Sequence, residues 1–227
     1  MGSPRTDALL RAQDRASALF DDVEARGLIR SGVSESQLSK EIRDLARTTY
    51  GVTRHWHKRI ARSGPNTLRP YDENPPDRVI GTDDIVFLDF GPIFAEWEAD
   101  FGRTYVLGTD VNKLRLRDDL AAAFAAGADY FRTHPQITGA ELYAFLQDYA
   151  TTLGWTYGGP IAGHLVGKFP HQRVPGDKVL SYIAPGNDEP MRSQDRHGND
   201  RHWILEIHFI DRERQIGGFY EELLTTS

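Results

Sequence analysis

Two stretches with apolar residues at helical spacing open the chain. In residues 6–26 apolar side chains recur every three or four positions, which predicts an amphipathic helix. Residues 34–51, SESQLSKEIRDLARTTYG, repeat this pattern, with Ser34 and Gln37 in capping-box positions and Gly51 as a C-terminal stop. The first 50 residues are therefore predicted to form N-terminal helices.

The middle of the chain alternates between turn-forming, strand-like and helical segments. Residues 63–78 are rich in Pro, Gly, Asn and Asp, which predicts a loop or an irregular edge. DIVFLDF and RTYVLG then read as the two strands of a hairpin. Helical patterns follow at 113–134 and 139–154, and the second begins with Thr138 and Glu141 in capping-box positions.

The remainder is rich in glycine and then in strand-forming residues. WILEIHFID and GFYEELL predict two further strands. The order of helices, hairpin, helices and strands predicts a mainly antiparallel α+β domain. We find no internal repeat at a period of about 20 to 50 residues. Residues 1–227 are therefore expected to form a single domain.

The composition limits the kinds of partner that the protein is expected to bind. The 227 residues carry a net charge of −6, and Lys and Arg are scattered, so the basic stripe typical of nucleic-acid binding is missing. The chain has no cysteine, so a metal would need Asp, Glu or His ligands. No apolar run reaches the length of about 18 residues expected of a membrane span. We expect a cytoplasmic protein with a small or peptide-like partner.

Two aspartates in the predicted hairpin would bring two negative charges close together. If the strands form a simple hairpin with its turn centred between Phe94 and Ala95, Asp89 and Asp100 lie directly opposite each other. Their Cβ atoms would then be roughly 4.5 to 5.5 Å apart. Like charges at that distance repel, and a divalent cation between them is the simplest remedy.

A second pair of carboxylates follows the same construction. A turn centred between Glu213 and Arg214 places Glu206 opposite Glu221. Glu222 would take the place of Glu221 if a bulge shifted the register by one residue.

Between the two pairs lies GHLVGKFPH, which carries His164 and His171 seven residues apart. Imidazole and carboxylate together are common ligands of Mn, Fe, Co and Zn. Four carboxylates with one histidine make a ligand set for two divalent ions, which activate a shared water in hydrolases.

These residues and their order resemble the pita-bread-fold metalloenzymes, the family of methionine aminopeptidase, aminopeptidase P, prolidase and creatinase. The resemblance is carried by the two aspartates after a DIVFLD strand, the GHLVG segment, the strand with Glu206 and the closing EELL segment. It covers roughly residues 5–227, which leaves no separate N-terminal domain. It implies a curved, mainly antiparallel sheet covered by helices.

The resemblance also implies roles for individual residues. It implies that two divalent ions, of Mn, Fe, Co or Zn, are bound by Asp89, Asp100, His164, Glu206 and Glu221. It implies that Glu206 is catalytic and handles the proton of the attacking water, and that His171 contacts the substrate or stabilises the tetrahedral intermediate. The implied activity is that of a metal-dependent hydrolase similar to aminopeptidase P. Such an enzyme cleaves an amide or C–N bond of a small peptide or amino-acid-like substrate, and a homodimer is compatible with it.

The sequence departs from the family pattern before the first aspartate. The peptidases carry a further histidine there, where SGPNTLRPY has Arg69 or Pro70. Arg69 and Tyr71 are candidate substrate contacts from this loop. His55 and His57 could reach the site from the preceding segment.

A second departure follows Glu206, where Ile207 replaces the usual proline. His208 then shares a strand face with Glu206 and is a candidate substrate contact. The departures leave two alternatives open. One is an enzyme of the same fold with creatinase-like hydrolysis or iron-dependent oxidation, and the other is a non-catalytic binding protein.

Overall fold

The computed structural model describes residues 3–171 and 178–224. Its helices are α1 (Pro4–Ala25), α2 (Glu35–Tyr50), α3 (Val111–Thr133) and α4 (Gly139–Thr152). Its strands are β1 (Ile60–Ser63), β2 (Ile85–Phe90), β3 (Ile93–Phe94), β4 (Trp97–Glu98), β5 (Phe101–Val106), β6 (Thr156–Tyr157), β7 (Gly163–Val166), β8 (His202–Asp211) and β9 (Ile216–Leu223). The predicted helices and strands are present, whereas β1, β3, β4, β6 and β7 were not predicted. None of the helices within these described ranges is long and apolar enough to cross a bilayer.

The helix ends follow the predicted caps with one exception. Thr138 and Glu141 form a full capping box at α4, because each side chain bonds the backbone N–H of the other residue, at 3.2 and 2.9 Å. At α2 the hydroxyl of Ser34 accepts a hydrogen bond from the N–H of Gln37, but the Gln37 side chain donates to Glu41 instead. Only half of the predicted box therefore forms there.

A seven-stranded antiparallel sheet forms the centre of the molecule. Its strand order is β1-β2-β5-β9-β8-β6, and β7 also pairs with β8. The short strands β3 and β4 form a separate hairpin. The strand β9 lies between β5 and β8, so it joins the part of the sheet that precedes α3 to the part that follows α4.

The helices cover one face of this sheet. Helices α1 and α2 pack on Val86, Leu88 and Phe90 of β2, whereas α3 and α4 pack on Leu205, Ile207 and Phe209 of β8. Because side chains alternate along a strand, the residues between them point to the opposite face. A cavity of about 650 Å³ lies on that face.

Candidate metal centre

Five side chains that the sequence singles out converge in this cavity. Asp89 comes from β2, Asp100 immediately precedes β5, and His164, Glu206 and Glu221 come from β7, β8 and β9. The Nε2 atom of His164 lies 3.0 Å from Asp100 Oδ2, 3.6 Å from Glu206 Oε1 and 3.9 Å from Glu221 Oε1. Strands that are far apart in sequence thus bring one imidazole and several carboxylates within ligand distance of each other.

The register of the second carboxylate pair is as predicted, since Glu206 lies directly opposite Glu221. Glu222 pairs with Leu205 in the ladder, and its side chain forms a salt bridge with Arg103. The structure therefore brings Glu221, and not Glu222, into the cavity.

The predicted register of the first pair is wrong. Asp89 lies opposite Gly102, and Asp100 is outside the ladder, one residue before β5. The turn is centred between Ala95 and Glu96, one residue later than expected, because both adopt positive φ angles, of 46° and 75°. The two aspartates still lie close together, since both face His57 and their ligand atoms are within 4.8 Å of each other.

His57 enters the cluster from the segment before β1. Its Nε2 atom lies 2.9 Å from Asp100 Oδ1 and 3.5 Å from Asp89 Oδ1, and its Nδ1 lies 2.6 Å from the carbonyl oxygen of Lys58. The neighbouring His55 instead packs its ring edge-on against Phe90. Of the two histidines that could reach the site, only His57 does so.

The carboxylates share a buried environment that perturbs their ionisation. Burial raises the pKa of Asp89 to about 7 and that of Glu206 to about 7, and it raises the pKa of Glu221 well above its usual value. Burial also acts on Asp100, but His57 and His164 face its two oxygens and lower its pKa to about 2. The cluster therefore favours any cation that neutralises these acids.

The donor set fits divalent metal ions. Among the described residues, the buried Oε2 atom of Glu221 has no hydrogen-bond partner, which leaves it available as a ligand. Two groups place ligand atoms within 4.8 Å of one another: His57, Asp89 and Asp100, and Asp100, His164 and Glu221. Carboxylate oxygen and imidazole nitrogen suit Mn, Fe, Co and Zn.

His171 lies beside this cluster and is held by a carboxylate that the sequence reasoning missed. Its Nδ1 lies 2.7 Å from Glu98 Oε2, and its ring is nearly parallel to that of His164 at 6.3 Å. Glu98 is 2% exposed and also accepts hydrogen bonds from the N–H groups of Gly167 and His171. The available signal was the position of Glu98 two residues before Asp100, because alternate strand residues share a face.

The remaining candidates line the wall and mouth of the cavity. His208 is buried there, and its Nε2 lies 2.9 Å from the carbonyl oxygen of Thr67. Burial lowers its pKa to about 4, so the ring is neutral at pH 7. Tyr71 is half exposed at the mouth, with its ring 5.8 Å from that of His57. Arg69 is exposed and pairs with Glu73.

Arg62 is a further residue that the sequence reasoning missed. It is buried in the cavity wall and donates hydrogen bonds to the carbonyl oxygens of Pro70, at 2.9 Å, and Glu73, at 2.6 Å. It therefore fixes the loop that carries Arg69 and Tyr71 at the mouth of the cavity.

The fold and the cluster together define the class of the protein. The structure is similar to that of an X-Pro aminopeptidase from Thermotoga maritima MSB8, with a TM-score of 0.78 and 19% identity over 100% of this chain and 62% of that one. This similarity confirms the predicted α+β pita-bread fold.

Comparison of sequences then gives the family. The profile described as "Metallopeptidase family M24" matches residues 7–196, and the chain belongs to this family. It is 27% identical over 183 residues to an uncharacterized peptidase, YqhT, of Bacillus subtilis (strain 168), covering 78% of this chain and 50% of the relative. It is also 27% identical over 166 residues to an Xaa-Pro dipeptidase of Lactobacillus helveticus, covering 70% of this chain and 41% of the relative. The chain thus spans about half the length of these curated relatives or less.

Proposed function

We propose that the protein is a metal-dependent hydrolase that cleaves an amide bond of a small peptide at a dinuclear centre. The observation that carries this proposal is the convergence of Asp89, Asp100, His164, Glu206 and Glu221 in one buried cluster at the floor of a cavity. Membership of the metallopeptidase family supports the proposed reaction. Mn, Fe, Co and Zn all match the ligand atoms.

The bound ions would supply a water of lowered pKa and polarise the peptide carbonyl. In this scheme Glu206 accepts the proton of the attacking water and passes it to the leaving amine. Its carboxylate lies 3.6 Å from His164 and faces the cavity, so it is within reach of both groups.

His171 has the position of an oxyanion donor. Glu98 Oε2 lies 2.7 Å from Nδ1 and fixes the orientation of the ring, which leaves Nε2 for a contact with the substrate. His171 then hydrogen-bonds the carbonyl oxygen of the substrate as negative charge develops on it. Glu98 acts through His171 and is a positioning residue.

We further propose that the substrate is a short peptide with a proline after the scissile bond. The dipeptidase and aminopeptidase names of two similar proteins support this class of substrate. The cavity has the volume of a pocket for a small ligand, and its apolar wall, which includes Phe87, Phe169 and Phe219, suits a pyrrolidine ring. His208 and Tyr71 are the proposed contacts to the rest of the substrate.

Metal analysis followed by peptide hydrolysis tests the proposal. Protein purified without chelator is analysed for bound transition metals, then loaded with Mn²⁺, Fe²⁺, Co²⁺ or Zn²⁺ and mixed with Ala-Pro, Ala-Ala and Ala-Pro-Ala. Release of free amino acid is expected, with Ala-Pro or Ala-Pro-Ala preferred. A loaded protein that cleaves none of these peptides, or that consumes oxygen during turnover, would overturn the proposal.

Two adjacent glutamates provide a matched pair of variants. We expect Glu221→Gln to lose metal and activity, because Glu221 faces His164. Glu222→Gln should retain both, because its side chain pairs with Arg103. We expect Asp100→Asn to abolish metal-dependent activity, and His171→Ala to lower kcat by roughly 10²- to 10³-fold while metal remains bound.

Location and assembly stay predictions. The lack of cysteine agrees with a cytoplasmic protein, and a single domain is expected, with which a homodimer is compatible. Light scattering of the purified protein would measure the oligomeric state.

A further inference from the structure

The two ring nitrogens of His57 have different partners. Its Nδ1 lies 2.6 Å from the carbonyl oxygen of Lys58. A carbonyl oxygen can only accept, so Nδ1 carries a proton. In a neutral ring the lone pair of Nε2 therefore points at Asp100 Oδ1, 2.9 Å away, and at Asp89 Oδ1, 3.5 Å away. These oxygens cannot donate when the acids are ionised, so the contact requires either a second proton on the ring or a metal ion between the ring and the carboxylates.

His164 has the same arrangement. Its Nδ1 lies 2.9 Å from the carbonyl oxygen of Leu165, again the next residue, and its Nε2 lies 3.0 Å from Asp100 Oδ2. The two imidazoles thus face the two oxygens of one aspartate from opposite sides. A hydrogen bond from the far ring nitrogen is the feature that orients histidine ligands of metals.

The donor distances around His57 also match those around one ion. Two ligands that are each about 2.0–2.2 Å from an ion, at octahedral or tetrahedral angles, lie about 2.8–3.6 Å apart. The separations of His57 Nε2 from Asp100 and Asp89 are 2.9 and 3.5 Å. Those of His164 Nε2 from Asp100 and Glu206 are 3.0 and 3.6 Å.

Packing holds His57 in this position. Its side chain is 6% exposed, and its ring lies edge-on to Trp56 at 4.5 Å. The imidazole occupies space that a side chain at residue 91 would need. A Cβ on Gly91 would lie 2.2 Å from Cδ2 and 2.4 Å from Nε2 of His57, so only glycine permits this placement.

We propose that His57 is a sixth protein ligand of the dinuclear centre, on the side formed by Asp89 and Asp100. Each side of the centre then has one imidazole, His57 on one and His164 on the other. This inference rests on the proposed metal site and adds a ligand to its five. An extra imidazole favours Zn, Co and Fe over Mg and Ca at that side.

Metal binding to the stripped protein tests the proposal without an activity assay. Apoprotein is titrated with Co²⁺ and with Mn²⁺ by calorimetry, in wild type, His57→Ala and His55→Ala. His55 is the matched control, because it lies two residues away and packs on Phe90. We expect His57→Ala to weaken one of two binding steps by roughly tenfold or more and His55→Ala to change neither by more than about twofold.

A spectroscopic readout separates a ligand from a group that only supports the fold. Electron spin echo modulation of bound Mn²⁺ should show nitrogen couplings from two histidines in wild type and from one in His57→Ala. Gly91→Ala keeps every ligand residue but displaces the imidazole, so it should weaken the same binding step. This variant also serves if His57→Ala does not fold.

The outcomes are distinguishable. Loss of one nitrogen coupling and weakening of one step in both variants would support the sixth ligand. If wild type binds two ions and His57→Ala matches it in both affinities, the inference is overturned while the proposed function stands. A lowered kcat with unchanged affinities would also overturn it and assign His57 to proton transfer. If wild type binds no divalent ion, the proposed function and this inference both fall.

Discussion

Replacing Glu98 by alanine isolates the contribution of one buried carboxylate to stability. Glu98 is 2% exposed, and its two oxygens accept three hydrogen bonds, from the N–H of Gly167, the N–H of His171 and His171 Nδ1, at 3.2, 3.1 and 2.7 Å. Truncation leaves the two backbone donors without an acceptor. The imidazole of His171 can carry its proton on Nε2 instead of Nδ1. Losing the contact with Glu98 therefore costs less free energy at this ring than at the two backbone donors.

The magnitude follows from these contacts. An unpaired buried donor costs about 1–3 kcal/mol, so the two backbone groups together cost about 2–6 kcal/mol. Removing a carboxylate that is itself expensive to bury offsets part of this cost. We therefore expect Glu98→Ala to lower the free energy of unfolding by about 2–3 kcal/mol, a large share of the 5–15 kcal/mol typical of a folded protein.

Urea unfolding of metal-free protein, followed by tryptophan fluorescence, measures this difference. Glu96→Ala is the control, because Glu96 is two residues away and pairs with Lys168 at the surface, with both side chains more than half exposed. That pair should contribute at most about 1 kcal/mol. If Glu98→Ala costs no more than Glu96→Ala, at equal m-values, the hydrogen bonds of Glu98 do not stabilise the fold as argued.

Three further outcomes are expected. Chelation should lower the melting temperature measured by calorimetry, since an ion at 100 times its Kd stabilises the fold by about 2.7 kcal/mol, and an unchanged temperature would argue against a bound ion. Glu35→Ala should lower the free energy of unfolding measured in urea by about 2–4 kcal/mol, because buried Glu35 accepts hydrogen bonds from Ser63 and Asn66. Glu41→Ala, at an exposed pair, should have a much smaller effect. Burial, with a smaller effect of Arg5, lowers the pKa of His202, so the unfolded chain binds more protons than the folded one below the unfolded pKa of about 6.5. The contribution of neutral His202 to the free energy of unfolding is complete above that pH and is lost as the pH falls through the folded pKa. His202→Leu should therefore lose less of its urea midpoint between pH 7 and 5 than wild type does.

Features that depend on residues close in sequence could be predicted. Thr138 and Glu141 form their capping box because both partners belong to the same helical turn. The register of Glu206 with Glu221 follows from a short turn between long strands. In each case the residues that decide the local structure are a few positions apart, so their spacing in the sequence is enough to predict it.

The register of Asp89 could not be predicted, for a local reason. Two-residue turns with positive φ angles usually have Asn or Gly, and here they are formed by Ala95 and Glu96. Side chains of this kind rarely adopt that conformation without support from their surroundings. The support comes from the pairing of β3 with β4 on either side, which no pattern in the segment reveals.

The contacts of His57 and Glu98 lay beyond sequence reasoning because their partners are distant in the chain. His57 meets Asp100 across 43 residues, and Glu98 meets His171 across 73. No spacing rule connects such residues. The family resemblance supplied the five predicted ligands, but it has no counterpart for a histidine that arrives from the segment before β1.

The place of β9 in the sheet has a consequence for synthesis on the ribosome. Asp89 and Asp100 are made early, His164 and Glu206 follow later, and Glu221 lies on the strand that joins the two parts of the sheet. Until β9 leaves the exit tunnel, no strand of the sheet joins the earlier strands to the later ones, and Glu221 is missing from the proposed ligand set. The proposed metal centre can therefore be complete only after β9 has joined the sheet, and metal binding would report that the two parts of the sheet have come together.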